Sequence, residues 1–291
     1  MKRAVLAVAA LVAVAGAYLA GLHSGYTRDS ILQELIALKR AWIPRAGDVD
    51  QYERTVRTDR APIACPEQTP DTLVVIVAGQ SNAASVLSRR HVGTARVVNY
   101  FRGACYAALD PLVGSSGRAG SVWVEMANLL GRDVVLIPMA VPATKIADWN
   151  GRLAPLVDET LRDAKRRYTV THLAWMQGEG DAGTTPPAAY RAELEKLIAR
   201  AKAAFPALKF YVSQTTHCFG VERDDGIRQA QKAVTDAARG VLPGPDTDRY
   251  TAIEDRSDGC HLAEAGQARV AREWARVLGA DQARIVSSPP M

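Results

Sequence analysis

The sequence predicts an α/β protein in which a five-stranded parallel sheet lies between two layers of helices, a three-layer α/β/α sandwich. From residue 70 onward, short apolar runs alternate with longer segments whose apolar residues recur at helical spacing. The short runs are rich in β-branched residues and are apolar throughout, as is typical of strands buried on both faces. We expect the strand order 2-1-3-4-5 of a doubly wound sheet.

The five predicted strands span residues 73–78, 96–99, 133–139, 172–177 and 209–214. The predicted helices follow at residues 121–130, 153–167, 187–204, 226–239 and 263–278. Because the carboxyl ends of parallel strands meet at one edge of a sheet, polar residues that follow different strands should converge there.

The N-terminal region predicts an exported chain. Lys2 and Arg3 precede an uncharged run over residues 4–22, which exceeds the usual signal-peptide core and approaches the ~20 residues that span a bilayer. We expect residues 1–22 to be a cleaved signal peptide or a membrane anchor, residues 23–65 a helical stalk and linker, and residues 66–291 the main domain. That domain should face the periplasm or the exterior, and it is secreted if the signal is cleaved.

Charge and cysteine content narrow the possible classes of protein. The net charge is +5, and the basic residues are scattered, which does not indicate a nucleic-acid surface. The four cysteines lack the paired spacing of a structural zinc site, and an even number in an exported chain predicts disulfides. We expect Cys218–Cys260, since both residues should lie near the same sheet edge, and then Cys65–Cys105; four free thiols are the alternative.

A candidate nucleophile follows the first predicted strand. Gly79 permits a sharp turn, and Ser81 then stands just beyond the carboxyl edge of the sheet, where ligands bind in open α/β folds. A helix beginning near Asn82 would direct its positive end toward an anionic oxygen. The Gly-x-Ser-x-Gly pattern is incomplete because Ala83 stands last, and such a serine can equally cap a helix or form a turn.

Other polar segments are expected at the same edge. The glycine-rich loop over residues 114–121 can offer N–H groups to an anion or simply be a surface loop. Gln177, Glu179 and Asp181 lie close together after the fourth predicted strand, a density that core packing does not explain. Three residues separate Asp258 from His261, so in a turn this carboxylate can orient the imidazole; an ordinary surface turn is the alternative.

Three motifs in this order carry a family resemblance: Gly79-Gln80-Ser81-Asn82, Trp175-x-Gln177-Gly178-Glu179-x-Asp181 and Asp258-x-x-His261. Together with Asp110-Pro111-Leu112, they resemble the sialate O-acetylesterase-like branch of the SGNH (GDSL-type) hydrolases. The resemblance covers about residues 73–278. It implies an SGNH-like sandwich and a serine esterase that removes acetyl groups from sugar hydroxyls. No cofactor or metal is indicated, and the expected partner is an acetylated carbohydrate.

The resemblance also implies roles for individual residues. Ser81 is the nucleophile, His261 the base and Asp258 its orienting partner. The oxyanion hole is formed by the N–H of Ser81, the N–H of Gly120 (with Gly117 as the alternate) and the amide of Gln177. Substrate contact or structural support is expected of Gln80, Asn82, Glu179, Asp181 and Arg228. One of the two acids should hold either the Gln177 loop or Arg228.

Several alternatives remain open at this point. His217 is a rival base or a substrate contact, although a lone histidine without an acid at the same spacing favours a structural role. Pro142-Ala143-Thr144 departs from the Gly-Gly-Thr that is frequent in the family. A glycan O-acetyltransferase would use the same residues, and a glycan-binding protein would use the same scaffold. A metallohydrolase is disfavoured because the five histidines form no His-Glu-x-x-His pattern.

Overall fold

The computed structural model describes residue 16, residues 49–56, residues 60–221 and residues 223–286, with side chains as far as residue 280. Apart from residue 16, the predicted signal peptide or anchor lies outside these residues, as does the helix predicted for the stalk. None of the described helices is both long enough and apolar enough to cross a membrane. The chain divides into two compact units, Met1–Gly47 and Asp48–Met291. The second unit contains every element described below.

A mostly parallel sheet forms the centre of this unit. In its described part the strands are β1 (Leu73–Gly79), β2 (Val97–Phe101), β3 (Ala104–Ala107), β4 (Val134–Ala140), β5 (His172–Met176), β6 (Lys209–Gln214) and β7 (Val241–Asp246). Their order is β3-β2-β4-β1-β5-β6-β7. The pair β2–β3 is antiparallel and the other neighbouring pairs are parallel.

The five predicted strands are confirmed, but the predicted strand number and order are wrong. The sheet gains β3, a short strand that returns along β2, and β7, whose Pro243 and Pro245 obscure its strand character in the sequence. In addition, β4 lies between β2 and β1, since Val134 pairs with both Val97 and Leu73. The predicted order 2-1-3-4-5 would instead place β1 between β2 and β4. Apolar runs identify buried strands but do not specify their neighbours.

Six helices pack against the sheet in the described residues. They are α1 (Val122–Leu130), α2 (Ile146–Asn150), α3 (Ala154–Lys165), α4 (Pro187–Ala204), α5 (Asp225–Ala233) and α6 (Glu264–Val286). The five predicted helices are confirmed, although α5 ends earlier than expected. The reason is Asp236, whose carboxylate caps a separate 3-10 turn, Ala237–Arg239. The short helix α2 was not predicted.

The three predicted layers are confirmed by two separate cores. Successive residues of a strand face opposite sides of a sheet, and accordingly Val74 and Ile76 of β1 belong to one core while Val75 and Val77 belong to the other. The first core includes apolar side chains of α2, α3, α4 and α5, and the second includes those of α1 and α6. The sheet is therefore covered on both faces, which leaves its edges for a site.

Both predicted disulfides, Cys65–Cys105 and Cys218–Cys260, are confirmed. The first joins the segment before β1 to β3. The second joins the loop after β6 to the loop before α6, next to His261. Disulfides persist in oxidising compartments, so this pair of bonds indicates an exported or extracellular protein.

Candidate active site

Ser81 lies at the carboxyl end of β1, as predicted. Gly79 has a φ of +136°, and a Cβ at this position would lie 2.0 Å from the carbonyl oxygen of Met176, so only glycine fits beside β5. The helix expected near Asn82 is only a 3-10 turn, Ser81–Ala83. Ser81 itself is 6% exposed. Within the described part of the chain, its backbone N–H has no hydrogen-bond acceptor.

Asp258 and His261 make the predicted contact. Asp258 Oδ2 lies 2.6 Å from His261 Nδ1, while Asp258 Oδ1 accepts hydrogen bonds from the N–H groups of Cys260 and His261. Partial burial acts to raise the pKa of Asp258, but the bonds from His261 and Cys260 outweigh it and leave this pKa below its ordinary value. A proton on Nδ1 is thereby held toward the carboxylate, and Nε2 is left to exchange a proton with a substrate or a hydroxyl.

The side chain of Asn82 joins the Ser81 turn to the His261 loop. Its Oδ1 accepts the N–H of Leu262 at 3.0 Å, and its Nδ2 donates to the carbonyl oxygen of Cys260 at 3.2 Å. The residue after Ser81 is thus bonded to the residues on either side of His261. Asn82 is buried, so these bonds are shielded from water. The result is a direct mechanical link between the candidate nucleophile and the candidate base.

Two buried ionisable residues, Glu179 and Arg256, support this link. Glu179 Oε1 accepts a third bond from Asn82 Nδ2 at 2.8 Å, and burial raises the pKa of Glu179 even though that bond opposes the shift. Arg256 donates to the carbonyl oxygens of Tyr250, Thr247 and Cys260, which fixes the loop that carries Asp258 and His261. The sequence did not single out Arg256, because nothing local distinguishes it from a surface arginine.

Gln177, Asp181 and Gln80 form a second buried network. Gln177 Nε2 donates to Asp181 Oδ2 at 2.6 Å and to the carbonyl oxygen of Thr144 at 3.0 Å, and lies 3.3 Å from Gln80 Oε1. Gln80 Oε1 also accepts the N–H of Gly180 at 3.0 Å. Asp181 therefore holds Gln177 in place. This is one of the two roles expected for the acidic residues, the other being to hold Arg228.

The segment Pro142-Ala143-Thr144 takes part in this network despite its departure from the family pattern. Ala143 has a φ of +55°, a left-handed conformation that glycine adopts more readily. Thr144 supplies its carbonyl oxygen to Gln177, and Asp181 Oδ2 accepts the N–H of Ile146 at 2.8 Å. Burial raises the pKa of Asp181. The backbone at Thr144 thus supports Gln177 in this chain.

Arg228 has different partners from those expected. Within the described residues it forms ion pairs with Asp246 at 2.7 Å and with Asp248 at 2.8 Å. The alternative in which Glu179 or Asp181 holds Arg228 is therefore wrong. Asp248 also accepts the N–H of His217 at 2.9 Å. Arg228 thus braces the half-buried loop that carries His217, the rival base, and the sequence pattern could not reveal these partners because β7 was not recognised.

The glycine-rich loop packs against the segment that follows the Ser81 turn. Gly120 N–H donates to Leu87 O at 2.9 Å, and Leu87 N–H donates back to Gly120 O. Gly117 has a φ of +91°, and a Cβ there would lie 2.3 Å from the carbonyl oxygen of Ser85. In the part of the chain that the structure describes, the Gly117 N–H has no acceptor. Of the two glycines, only Gly117 therefore has an N–H available for an oxyanion.

Asp110 anchors the end of this loop. Its Oδ1 accepts the hydroxyl of Ser121 at 2.7 Å, and its Oδ2 accepts the N–H groups of Ser121 and His91, each at 3.1 Å. Burial raises the pKa of Asp110 to about 6, although these hydrogen bonds oppose the shift. Asp110 thus supports the glycine-rich loop through its bonds to Ser121 and His91.

Comparison with known families identifies the group to which this arrangement belongs. A family model described as carbohydrate esterase, sialic acid-specific acetylesterase matches residues 120–279, more than half of the chain. The chain belongs to this carbohydrate esterase family. The predicted resemblance is confirmed, and the chain is an esterase for which the family supports O-acetylated carbohydrate as the substrate. The match includes Gln177, Asp258 and His261, whereas Ser81 lies before it.

Solved structures confirm the α/β fold of this carbohydrate esterase. A protein from Arabidopsis thaliana has a TM-score of 0.59 at 18% identity over 73% of this chain and 99% of its own. NanS has a TM-score of 0.53 at 13% identity, with 76% and 100% coverage. A carbohydrate acetylesterase from Xanthomonas citri has a TM-score of 0.50 at 16% identity, with 70% and 55% coverage. Comparison with curated protein sequences gave no match.

Proposed function

We propose that this chain hydrolyses O-acetyl esters of carbohydrates through an acetyl-enzyme formed on Ser81. The observation that carries the proposal is the link through Asn82, which ties the residue next to Ser81 to both neighbours of His261. The contact between Asp258 and His261 supplies the other two members of a triad in the chain order Ser, Asp, His. Membership of the carbohydrate esterase family supports the class of substrate.

In the acylation step, Ser81 Oγ attacks the carbonyl carbon of the acetyl ester while its proton passes to His261 Nε2. Asp258 stabilises the imidazolium that results, since its carboxylate already contacts Nδ1. Collapse of the tetrahedral intermediate breaks the bond to the sugar oxygen, which takes the proton from Nε2. The products are the free sugar hydroxyl and acetyl-Ser81.

In the deacylation step, a water molecule attacks the acetyl-Ser81 carbonyl and gives a proton to His261 Nε2. The second tetrahedral intermediate expels Ser81 Oγ, which recovers this proton, and acetate leaves. The same imidazole thus acts alternately as base and acid. An acceptor sugar hydroxyl in place of water would give the transferase reaction.

The proposed oxyanion hole uses the N–H groups of Ser81 and Gly117. Gly120, the first choice on the sequence, already donates its N–H to Leu87, so we propose Gly117 in its place. Gln177 remains the proposed side-chain donor, and a bound oxyanion would take over one of the bonds that its amide now makes to Thr144 and Asp181. Each such donor is typically worth about 2–4 kcal/mol of barrier.

The domain organisation is also proposed. Residues 1–22 would direct export as a signal peptide or an anchor, residues 23–65 would form the stalk and linker, and residues 66–291 the catalytic domain. The two disulfides support residence outside the cytoplasm. N-terminal sequencing of the exported protein would distinguish cleavage from anchoring.

Trapping of the acyl-enzyme tests the mechanism. Rapid quenching of the full chain with p-nitrophenyl acetate should give a mass increase of one acetyl group on the peptide that contains Ser81. Ser81→Ala should abolish both the adduct and turnover. An adduct on any other residue, with turnover preserved in Ser81→Ala, would defeat the mechanism.

A further inference from the structure

Phe219 occupies a tight turn beside the candidate site. Cys218 and Val221 close this turn with a reciprocal pair of backbone hydrogen bonds, each 3.0 Å long. The two central residues, Phe219 and Gly220, have φ values of +40° and +81°. Positive φ at both central positions is the conformation in which Asn-Gly is the preferred pair.

Neither backbone preference nor burial explains a phenylalanine at this position. A bulky residue with positive φ is uncommon and strained, and strain of this kind collects at functional sites. The ring gains little by packing inside the protein, because Phe219 is 52% exposed. An aromatic side chain that is both strained and exposed points to a ligand.

The position of the ring indicates which ligand. The centroid of the Phe219 ring lies 6.1 Å from that of His261, and the two rings are edge to face at 75°. The Cys218–Cys260 disulfide connects the turn to the residue before His261. Phe219 therefore stands beside the imidazole that would return a proton to the departing sugar oxygen.

We propose that Phe219 is a platform for the sugar ring that carries the acetyl group. The proposal rests on the esterase function above and adds the class of alcohol: a pyranose whose C–H face packs on the exposed phenyl ring. Removing apolar surface on both partners from water favours this contact, and an aromatic ring provides it with little loss of side-chain freedom. Phe219 is then a specificity-determining residue and takes no part in proton transfer.

The turn itself allows a clean test. Phe219→Asn removes the ring but suits a positive φ better than phenylalanine does, so the turn and the disulfide should persist. The assay compares kcat/KM for methyl glucopyranosides acetylated at one hydroxyl with kcat/KM for ethyl acetate, which has no ring. We expect Phe219→Asn to lower the value for the sugar esters about tenfold, mainly through KM. The value for ethyl acetate should change less than about twofold, and Phe219→Trp should retain activity toward the sugars.

A binding measurement separates this proposal from the esterase function. In the Ser81→Ala background, calorimetry with the same acetylated glucopyranosides should show weaker binding when Phe219→Asn is added. Absence of Ser81-dependent release from both the sugar esters and ethyl acetate would defeat the esterase function, and the binding result would still decide the platform. Equal losses on sugar esters and ethyl acetate, unchanged activity on both, or unchanged binding would overturn the platform.

Discussion

Asn82 donates a hydrogen bond to Glu179 across 2.8 Å in the interior of the protein. The same amide reaches the backbone on both sides of His261, so a carboxylate at the end of β5 fixes the amide that aligns the site. The motif residues at the ends of β1 and β5 thus act on His261 without touching substrate. Asn82 and Glu179 are positioning residues in this account.

Substitution of Asn82 should damage turnover more than substrate affinity. Asn82→Ala removes the two hydrogen bonds by which Asn82 joins the Ser81 turn to the His261 loop, and small misalignments of catalytic groups can cost about a hundredfold in rate. We expect kcat to fall by roughly that factor with KM little changed. Asn128→Ala is a matched control, because Asn128 also bonds backbone groups but lies in α1. Equal losses in both variants would contradict the positioning role.

Glu179 should act through Asn82. Glu179→Gln keeps an oxygen that can accept from Asn82 Nδ2, so we expect it to retain far more activity than Glu179→Ala. In the double variant Asn82→Ala/Glu179→Ala, the losses in kcat should be strongly non-additive, since both changes disrupt one unit. Steady-state kinetics of the four proteins measures the coupling. Additive losses would show that Glu179 acts independently of Asn82.

Asp258→Asn should lower kcat by about three to four orders of magnitude while leaving the fold intact, as in other triads. The asparagine can no longer favour a proton on Nδ1 or stabilise the imidazolium. Circular dichroism together with kcat/KM provides the measurement. His217→Ala is the companion variant, and it should remain active. If His217→Ala is inactive and His261→Ala active, the choice of base is reversed.

Asp110 should make stability depend on pH. Its pKa rises from 3.8 to about 6 on folding, so between these values the folded protein holds a proton that the unfolded chain releases. The contribution of Asp110 to stability is therefore present below about pH 4 and lost as pH rises toward about pH 6. The difference in the free energy of unfolding between Asp110→Asn and the wild type should shift in favour of the variant by on the order of 2 kcal/mol as pH rises from 4 to 7. Urea unfolding of both proteins at a series of pH values measures this difference. If the free energies of unfolding of the two proteins change in parallel with pH, the role of Asp110 is contradicted.

Features that arise within short segments were predictable from the sequence. The apolar run of β1, the glycine after it and the Asp258–His261 pair each express local chemistry, and the structure has each of them in place. The disulfide Cys218–Cys260 was also predictable from the sequence, because both cysteines follow segments expected at one sheet edge.

Features that depend on distant contacts were not predictable in the same way. The position of β4 between β2 and β1 is decided by tertiary packing, and β7 is disguised by its prolines. Arg256 becomes recognisable only when the carbonyl groups it binds are known. Likewise, the choice between Gly117 and Gly120 depends on which N–H is already bonded to the Ser85–Leu87 segment.

The most direct test of the central claim is acetate release from singly acetylated methyl glucopyranosides by the full chain, with Ser81→Ala as the control. We expect release that depends on Ser81, His261 and Asp258 and that exceeds the control by several orders of magnitude. Release that is equal in the wild type and Ser81→Ala, or absent from both, would contradict it.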